Sequence, residues 1–454
     1  MLLQFSFSNF RAFREQQTLN LAANGRLAHP SSSTIQSRAP GLEDSQWLRG
    51  AVLYGANAAG KSSLLVALRS LQQFILNSAS VTDPKEPIVF VDPFAGEGGV
   101  AQPTAYEVNF VSDNVRYEYR VAATVERVWH ESLRAFPKVH EQLWFCREWN
   151  PETQKYEWSP ERPVGFPRDP QLEQYTLPNA LFLSKAIANN KSELESVFRW
   201  FKDRLRFLDL SNRWGMMGQE FSALQLLGNG EYAPGIRSLL RHADLGVVDA
   251  AVTELQRPTA FSQWPLAAGA ESAKEQLQRV RQLVPELSHQ GPQKSTFVLP
   301  WEKESAGTHR LFGLAGPWLD ILQNGYVMFV DELETSMHPL MVRELVRMFL
   351  SDAQNQRGAQ LIMTTHNPLL LDTSLLRRDQ IWFCDKDEEG AGHLYPLTDY
   401  RPRQGESLTR GYLSGRYGAV PFIPHGLLGE TTEAGLQPER PVEQCGPELQ
   451  PRER

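Results

Sequence analysis

The run Gly55-Ala-Asn-Ala-Ala-Gly60-Lys61-Ser62 satisfies the pattern GxxxxGK[ST], whose residue types suit a phosphate chain. Glycines at 55 and 60 let the backbone curl so that successive N–H groups face phosphate oxygens. A helix starting at Lys61 adds the partial positive charge of its N-terminus. In such a loop Lys61 reaches the β- and γ-phosphates and Ser62 ligates Mg²⁺. The expected nucleotide set is Gly55, Asn57, Ala58, Gly60, Lys61, Ser62 and Ser63, with ATP and Mg²⁺ as the bound species.

A site of this kind needs a second carboxylate-bearing strand. Tyr326-Val-Met-Phe-Val330 is an apolar run ending in Asp331-Glu332. Asp331 would stand near the metal, and Glu332 would polarise an attacking water. Lys61 and Asp331 are 270 positions apart, so a large insertion separates the two halves of one site. Ser305 and Gly307, in Glu304-Ser-Ala-Gly-Thr308, open a helical pattern and offer a second phosphate-binding end, which would face another subunit's nucleotide. Taken alone, Ser305 also reads as a plain N-cap. After Glu332 come Ser336, His338 and Pro339, the last suited to start a helix. Another apolar run, Gln360–Thr364, ends in Thr365-His366-Asn367-Pro368. A histidine at that strand end would hydrogen-bond the γ-phosphate or the attacking water, which makes Glu332, His366 and Lys61 the candidate catalytic residues.

The elements that must position these groups are legible. Ala51–Tyr54 is a short apolar strand feeding the glycine loop, and a helix pattern runs from Lys61 to about Leu76. Leu3, Phe5 and Phe7 alternate with Gln4, Ser6 and Ser8 as in a strand, and Thr18–Ala22 does likewise. Residues 86–135 look like antiparallel strands, and 148–180 is Pro-rich and polar, reading as loop. From 188 to 290 the texture is helical, including Leu194–Phe201 and Ala273–Leu283. From Phe297 to Leu397 strand and helix alternate, and the tail beyond Pro424 lacks core-forming residues and reads as disordered. The expected divisions are an N-terminal lobe over 1–165, a mostly helical insertion over 166–295, a C-terminal lobe over 296–425 and a tail over 426–454.

The motif set GANAAGKSS, ESAGT, FVDELETSMHP and TTHNP resembles the ABC-type ATPase head of the branch that includes SMC proteins and RecF-like repair ATPases. It is similar above all to standalone bacterial AAA15/AAA21 ATPases, a group that includes overcoming-lysogenization-defect-like and abortive-infection (AbiL/Rlo-type) ATPases. LLQFSFSNFRAFREQQTLNLAA, RRDQIWFCDKDEEG and YLSGRYGAVPFI resemble the same branch, so the likeness covers about 1–135 and 297–424. It implies an α/β P-loop NTPase head split by an insertion. Lys61 and Ser62 are then Walker A, and Asp331 and Glu332 are Walker B, with Ser62 and Asp331 on the metal. Ser305 and Gly307 stand for the signature, Ser336 to His338 for the D-loop, and His366 for the switch histidine. The signature reads ESAGT where the family has LSGGQ, and Gln102 is the nearest match to a Q-loop glutamine. By the same resemblance the chain would form a homodimer or higher homo-oligomer. It would control a separately encoded, nuclease-like effector in anti-phage defence.

Composition narrows the alternatives. Hydrophobic residues at 41% and charged residues at 22% describe an ordinary globular chain of two or three units. A net charge of −7 excludes a generally basic nucleic-acid coat, although a DNA-binding repair ATPase remains the rival reading. Arg11 and the set Arg199, Lys202 and Arg206 are its candidate contacts, the latter read first as a solvated helix face. Cys146, Cys384 and Cys445 make no metal or disulfide pattern. No apolar run is long enough to span a membrane, so a cytoplasmic protein is expected.

Overall fold

The computed structural model describes residues 1–27, 33–96, 98–161, 163–208, 213–243, 245–258, 279–403 and 405–421. The tail over 426–454 therefore lies outside the described residues. In chain order come β1 (Leu2–Ser8), β2 (Gln17–Asn20), β3 (Thr34–Gln36), β4 (Gln46–Leu48), β5 (Gly50–Gly55) and α1 (Lys61–Asn77). A meander comes next: β6 (Thr104–Ser112), β7 (Val115–Ala123), β8 (Val128–Phe136), β9 (Gln142–Asn150) and β10 (Lys155–Ser159). After it stand α2 (Pro170–Tyr175), α3 (Phe182–Ala188), α4 (Glu195–Arg199) and β11 (Leu205–Leu208). Then come α5 (Arg213–Leu227), α6 (Ala233–His242), β12 (Val247–Pro258), β13 (Arg279–Gln290), β14 (Thr296–Leu299) and α7 (Ala306–Asn324). The rest is β15 (Val327–Val330), α8 (Pro339–Leu350), β16 (Gln360–Thr364), β17 (Ile381–Lys386), β18 (Gly392–Pro396) and α9 (Leu408–Leu413).

Two compact units result. The first comprises 1–207, 324–334 and 342 onward; the second comprises 208–323 and 335–341. The first holds an antiparallel sheet in the order β10-β9-β8-β7-β6-β1-β2 and a mostly parallel sheet in the order β11-β15-β16-β5-β17-β18. In the second sheet β15, β16, β5 and β17 run parallel, and β18 returns antiparallel along β17. All residues of β5 are buried, as a parallel strand covered on both faces requires. Leu64, Leu68, Leu71, Phe74 and Ile75 on one face of α1 enter an apolar cluster that also includes Phe5, Phe7, Leu53, Val108 and Phe329. Burial of that face holds the first turn of α1 rigid beneath the glycine loop.

The second unit is where the sequence-based expectation fails. The expected helical insertion over 166–295 is mixed. Its first part, with α2 to α4 and β11, belongs to the first unit. Its later part pairs β12 with β13 over a long antiparallel register from Val247↔His289 to Pro258↔Arg279. The helix expected over Ala273–Leu283 is thus strand from Arg279 onward; residues 273–278 lie outside the described residues. Polar residues there recur at intervals compatible with either period, and the long antiparallel pairing with β12 decides the outcome. Residues 148–180, read as loop, contain the end of β9, all of β10 and α2, because Tyr156 and Trp158 find aromatic partners in Trp149 and Phe182. The helical pattern over Leu194–Phe201 holds, with Val197, Trp200 and Phe201 buried and Arg199 paired with Glu195 at the surface. Among the described residues no helix is long and apolar enough to cross a membrane.

Gly55 ends β5 opposite Cys384 of β17, and a Cβ there would lie 2.4 Å from the Cys384 carbonyl oxygen. Gly55→Ala should therefore cost about 1–3 kcal/mol of stability through overpacking. A lower urea midpoint with an unchanged denaturant slope checks it, and an unchanged midpoint would refute the tight ladder.

Candidate nucleotide site

Parallel pairing sets the site. Leu53 of β5 lies opposite Thr364 of β16, and Met363 lies opposite Val330 of β15. Parallel strands in register bring their C-terminal ends to one edge, where ligands bind in open α/β sheets. Gly55, Asp331 and His366 each stand at or just beyond such an end.

The loop after β5 turns through Ala58 at φ 62° and Gly60 at φ 109°. Gly60 is required twice over: its left-handed conformation disfavours a side chain, and a Cβ would meet the Phe13 ring at 2.7 Å. The helix α1 begins at Lys61 with no acidic residue in its first turn, so nothing on the helix offsets its positive end. Lys61 is 5% exposed, and its Nζ donates to the carbonyls of Gly55 at 2.9 Å and Ala56 at 3.0 Å. Burial lowers the Lys61 pKa, while the charges of Glu332, Asp331 and Glu334 oppose that shift. The ammonium is thus partly stripped of water and held by two loop carbonyls at the mouth of the glycine loop.

A cavity of about 480 Å³ opens over this loop, within the range of nucleotide-sized pockets. Asn57, Ala58, Gly60, Lys61, Ser62 and Ser63 form one wall, and Glu332 and His366 form the other. His366 Nε2 lies 4.0 Å from Glu332 Oε1, both side chains partly exposed. Asp331 sits beside them, held by the hydroxyl of Thr364, which donates to Asp331 Oδ1 at 2.5 Å. The same hydroxyl accepts the Glu332 amide at 2.9 Å, and Glu332 adopts φ 47°. One buried threonine thereby orients both acids of the strand end. Sequence patterning did not mark Thr364, whose only signal was its place at the end of an apolar strand. Glu334, likewise unmarked, accepts the His366 amide.

Ser305, Gly307, Ser336 and His338 lie in the second unit, where Gly307 approaches Ser336. Ser305 Oγ accepts the Thr308 amide at 3.0 Å and so caps α7, which is the plainer of its two expected roles. A Cβ on Gly307 would lie 2.8 Å from the Ser336 carbonyl oxygen, so the start of α7 abuts the segment carrying Ser336 and His338. Ser336 has φ 60°, and His338 Nδ1 accepts the Leu340 amide at 3.3 Å, at the entry to α8. Arg11, a candidate nucleotide or DNA contact, pairs with Asp92 at 2.7 Å on the surface. Gln102 gives its carbonyl oxygen to the side chain of Asn9.

A family model described as "AAA domain, putative AbiEii toxin, Type IV TA system" matches residues 51–372, well over half of the chain. The chain belongs to this family. The match begins in β5 and ends just beyond the His366 loop, so this AAA-domain P-loop ATPase keeps both halves of its site inside the family's span. Its α/β architecture, with a parallel sheet feeding the phosphate loop, is the class expected from the sequence. Among solved structures, a SMC head bound to the C-winged helix domain of ScpA is similar at 10% identity and a TM-score of 0.42, covering 87% of this chain and 97% of that one. The SMC head domain from Thermotoga maritima is similar at 13% identity and a TM-score of 0.38, over 87% and 98%. No curated protein matches.

Thr364→Val keeps the shape and removes the hydroxyl that serves both acids. It should lower stability by about 1–2 kcal/mol, the cost of leaving partly buried groups without their partner, whereas Thr364→Ser should stay near the wild type. Equilibrium unfolding of the two variants side by side decides it.

Proposed function

We propose that this chain binds Mg-ATP, hydrolyses it slowly, and uses the ATP-bound state to join two heads and control a partner protein. The observation that carries the reading is the convergence of Lys61, Ser62, Glu332 and His366 on one cavity, with Asp331 fixed beside them by Thr364. The donor set fits magnesium. Among the described residues no group of three or more His, Cys, Asp or Glu is placed to hold a metal ion by itself, and Mg²⁺ asks for little protein: one or two carboxylates or hydroxyls, with phosphate oxygens and water supplying the rest. Ser62 and Asp331 would hold it. When bound, the ion neutralises charge building on the β- and γ-phosphates.

The protein's own groups then divide the chemistry. Lys61 leaves the carbonyls of Gly55 and Ala56 and turns to the β- and γ-phosphates. Glu332 accepts a proton from the water attacking phosphorus, and His366 donates to the γ-phosphate beside it. Ser305 and Gly307, with Ser336 and His338, serve the nucleotide of a second subunit. In each chain the two sets belong to separate compact units, so a composite site between chains gives the second set a purpose. The family description, which names a toxin of type IV toxin–antitoxin systems, supports a setting in bacterial anti-phage defence with a separately encoded effector. The described charged side chains of β6 to β8 are of both signs, with Glu107, Glu118, Arg120 and Arg134 interleaved as ion pairs, which gives little support to a nucleic-acid face there.

Lys61→Ala should abolish turnover and weaken nucleotide binding; normal turnover in a folded variant would overturn the site. Glu332→Gln should retain Mg-ATP yet stop hydrolysis, so that ATP-dependent association accumulates in light scattering. Adding Ser305→Arg should remove that association while nucleotide binding stays, apart from about 1 kcal/mol of stability lost with the N-cap. If the double variant still associates on ATP as Glu332→Gln does, the composite-site mechanism is wrong.

A further inference from the structure

The loop that carries His366 leaves its sheet almost at once. Thr365 extends the ladder by one amide, donating to the Leu53 carbonyl at 3.0 Å, and the chain then departs from β5. Beyond that point the loop is held by side chains from elsewhere in the first unit. The buried Tyr54 hydroxyl donates to the Asn367 carbonyl at 3.2 Å. Thr409, in α9, places its hydroxyl 3.1 Å from the Pro368 carbonyl oxygen and 3.3 Å from that of Leu371. One hydroxyl proton thus serves both ends of the turn after His366.

These two anchors are themselves one assembly. The Tyr54 ring packs edge-on to Tyr412 of α9 at 5.4 Å, and Tyr412 stacks on Phe383 of β17 at 5.7 Å. The Tyr412 hydroxyl donates to the Ala419 carbonyl at 3.2 Å, and the Ala419 amide donates to Asp385 at 2.9 Å. Ser407 caps α9 by accepting the Arg410 amide. The helix is therefore pinned to the strand next to the P-loop strand, and through Thr409 it bears on the histidine loop. His366 is partly exposed and its ring stands 4.0 Å from Glu332, so its place depends on its backbone anchors: Glu334 at its own amide, then Tyr54 and Thr409 on the residues that follow.

We propose that Thr409, seconded by Tyr54, is a positioning residue for the switch histidine: α9 sets where His366 stands over the nucleotide cavity. The inference rests on the proposed ATPase function. Small displacements of a group that handles a proton or a developing charge cost rate steeply, while nucleotide affinity, set by the loop at 55–63, is left alone. The C-terminal segment around α9 then becomes the place where anything that pulls on it alters turnover without displacing nucleotide.

The test compares Thr409→Val and Thr409→Ser with the wild type and His366→Ala in the full-length protein. Thr409→Val should lower kcat about tenfold with unchanged affinity for a non-hydrolysable ATP analogue, and Thr409→Ser should restore it. Added to His366→Ala, Thr409→Val should cost nothing more. The His366 ring resonance, assigned by its loss in His366→Ala, should shift in Thr409→Val and return in Thr409→Ser, with no nucleotide present. A resonance that does not move, or one that moves while turnover stays normal, overturns the inference. If the wild type itself turns over no ATP, the functional reading falls and the resonance alone decides the positioning. Should Thr409→Val fail to fold, Tyr54→Phe removes only the hydroxyl bond to Asn367. The same shift and rate loss in that variant then support the positioning role, and their absence overturns it.

Discussion

The parallel register of β15, β16 and β5 is the constraint on which the site depends. It aligns Val330, Met363, Thr364 and Leu53 so that three separate loops start from one sheet edge. A slip of one residue on β16 would turn Thr364 to the opposite face, and both Asp331 and the Glu332 amide would lose their shared partner. The buried strands make such a slip costly, since Leu361, Ile362 and Met363 would exchange packing of one shape for another and Gln360 would lose its bonds to Leu2 and Leu48.

The opening segment acts as a wedge between this edge and the antiparallel sheet. Asn9 at φ 50° gathers the carbonyls of Gly99 and Gln102 and the amide of Phe94, while Thr104 reaches back to its carbonyl. Three residues on, the Ala12 carbonyl accepts the Gly392 amide, and the Phe13 ring fills the space that side chains on Gly60 and Gly392 would need. The apolar interior of the first unit thus runs continuously up to the underside of the phosphate loop. Nearby, burial pushes the Cys384 thiol up to about 12, so it stays neutral beside Lys61.

A buried ion pair shows how the meander is locked to the helices that come after it. Arg147 and Glu131 are both fully buried and 3.5 Å apart. Glu131 also accepts the Tyr119 hydroxyl and the amides of Phe182 and Leu183, at the start of α3, while Arg147 donates to the Ala180 carbonyl. With these bonds the carboxylate and the two terminal guanidinium nitrogens find partners where water cannot reach, while Arg147 Nε is buried without one. No spacing rule in the sequence marks this pair, because its members meet across β8 and β9 and act on a helix elsewhere.

The sequence by itself determined the candidate residues of the site and their immediate supports. The glycine loop with its strand and helix, the acid pair after an apolar run, the histidine after another and the helix opening at Pro339 all stand where local patterning put them. Those features are encoded within a few residues, where sterics, caps and hydrophobic period act directly. Tertiary structure decided everything that depends on pairing between distant segments. It joined Lys61 to Glu332 and His366, made Thr364 the hinge of the acid pair, and turned Arg279–Leu283 from an expected helix into strand. It also divided 166–295 between two units and set α9 against the histidine loop. The physical reason is the same in each case. A backbone amide or a hydroxyl takes whichever partner the fold delivers, and strand order, unlike local period, is written in no single stretch of chain.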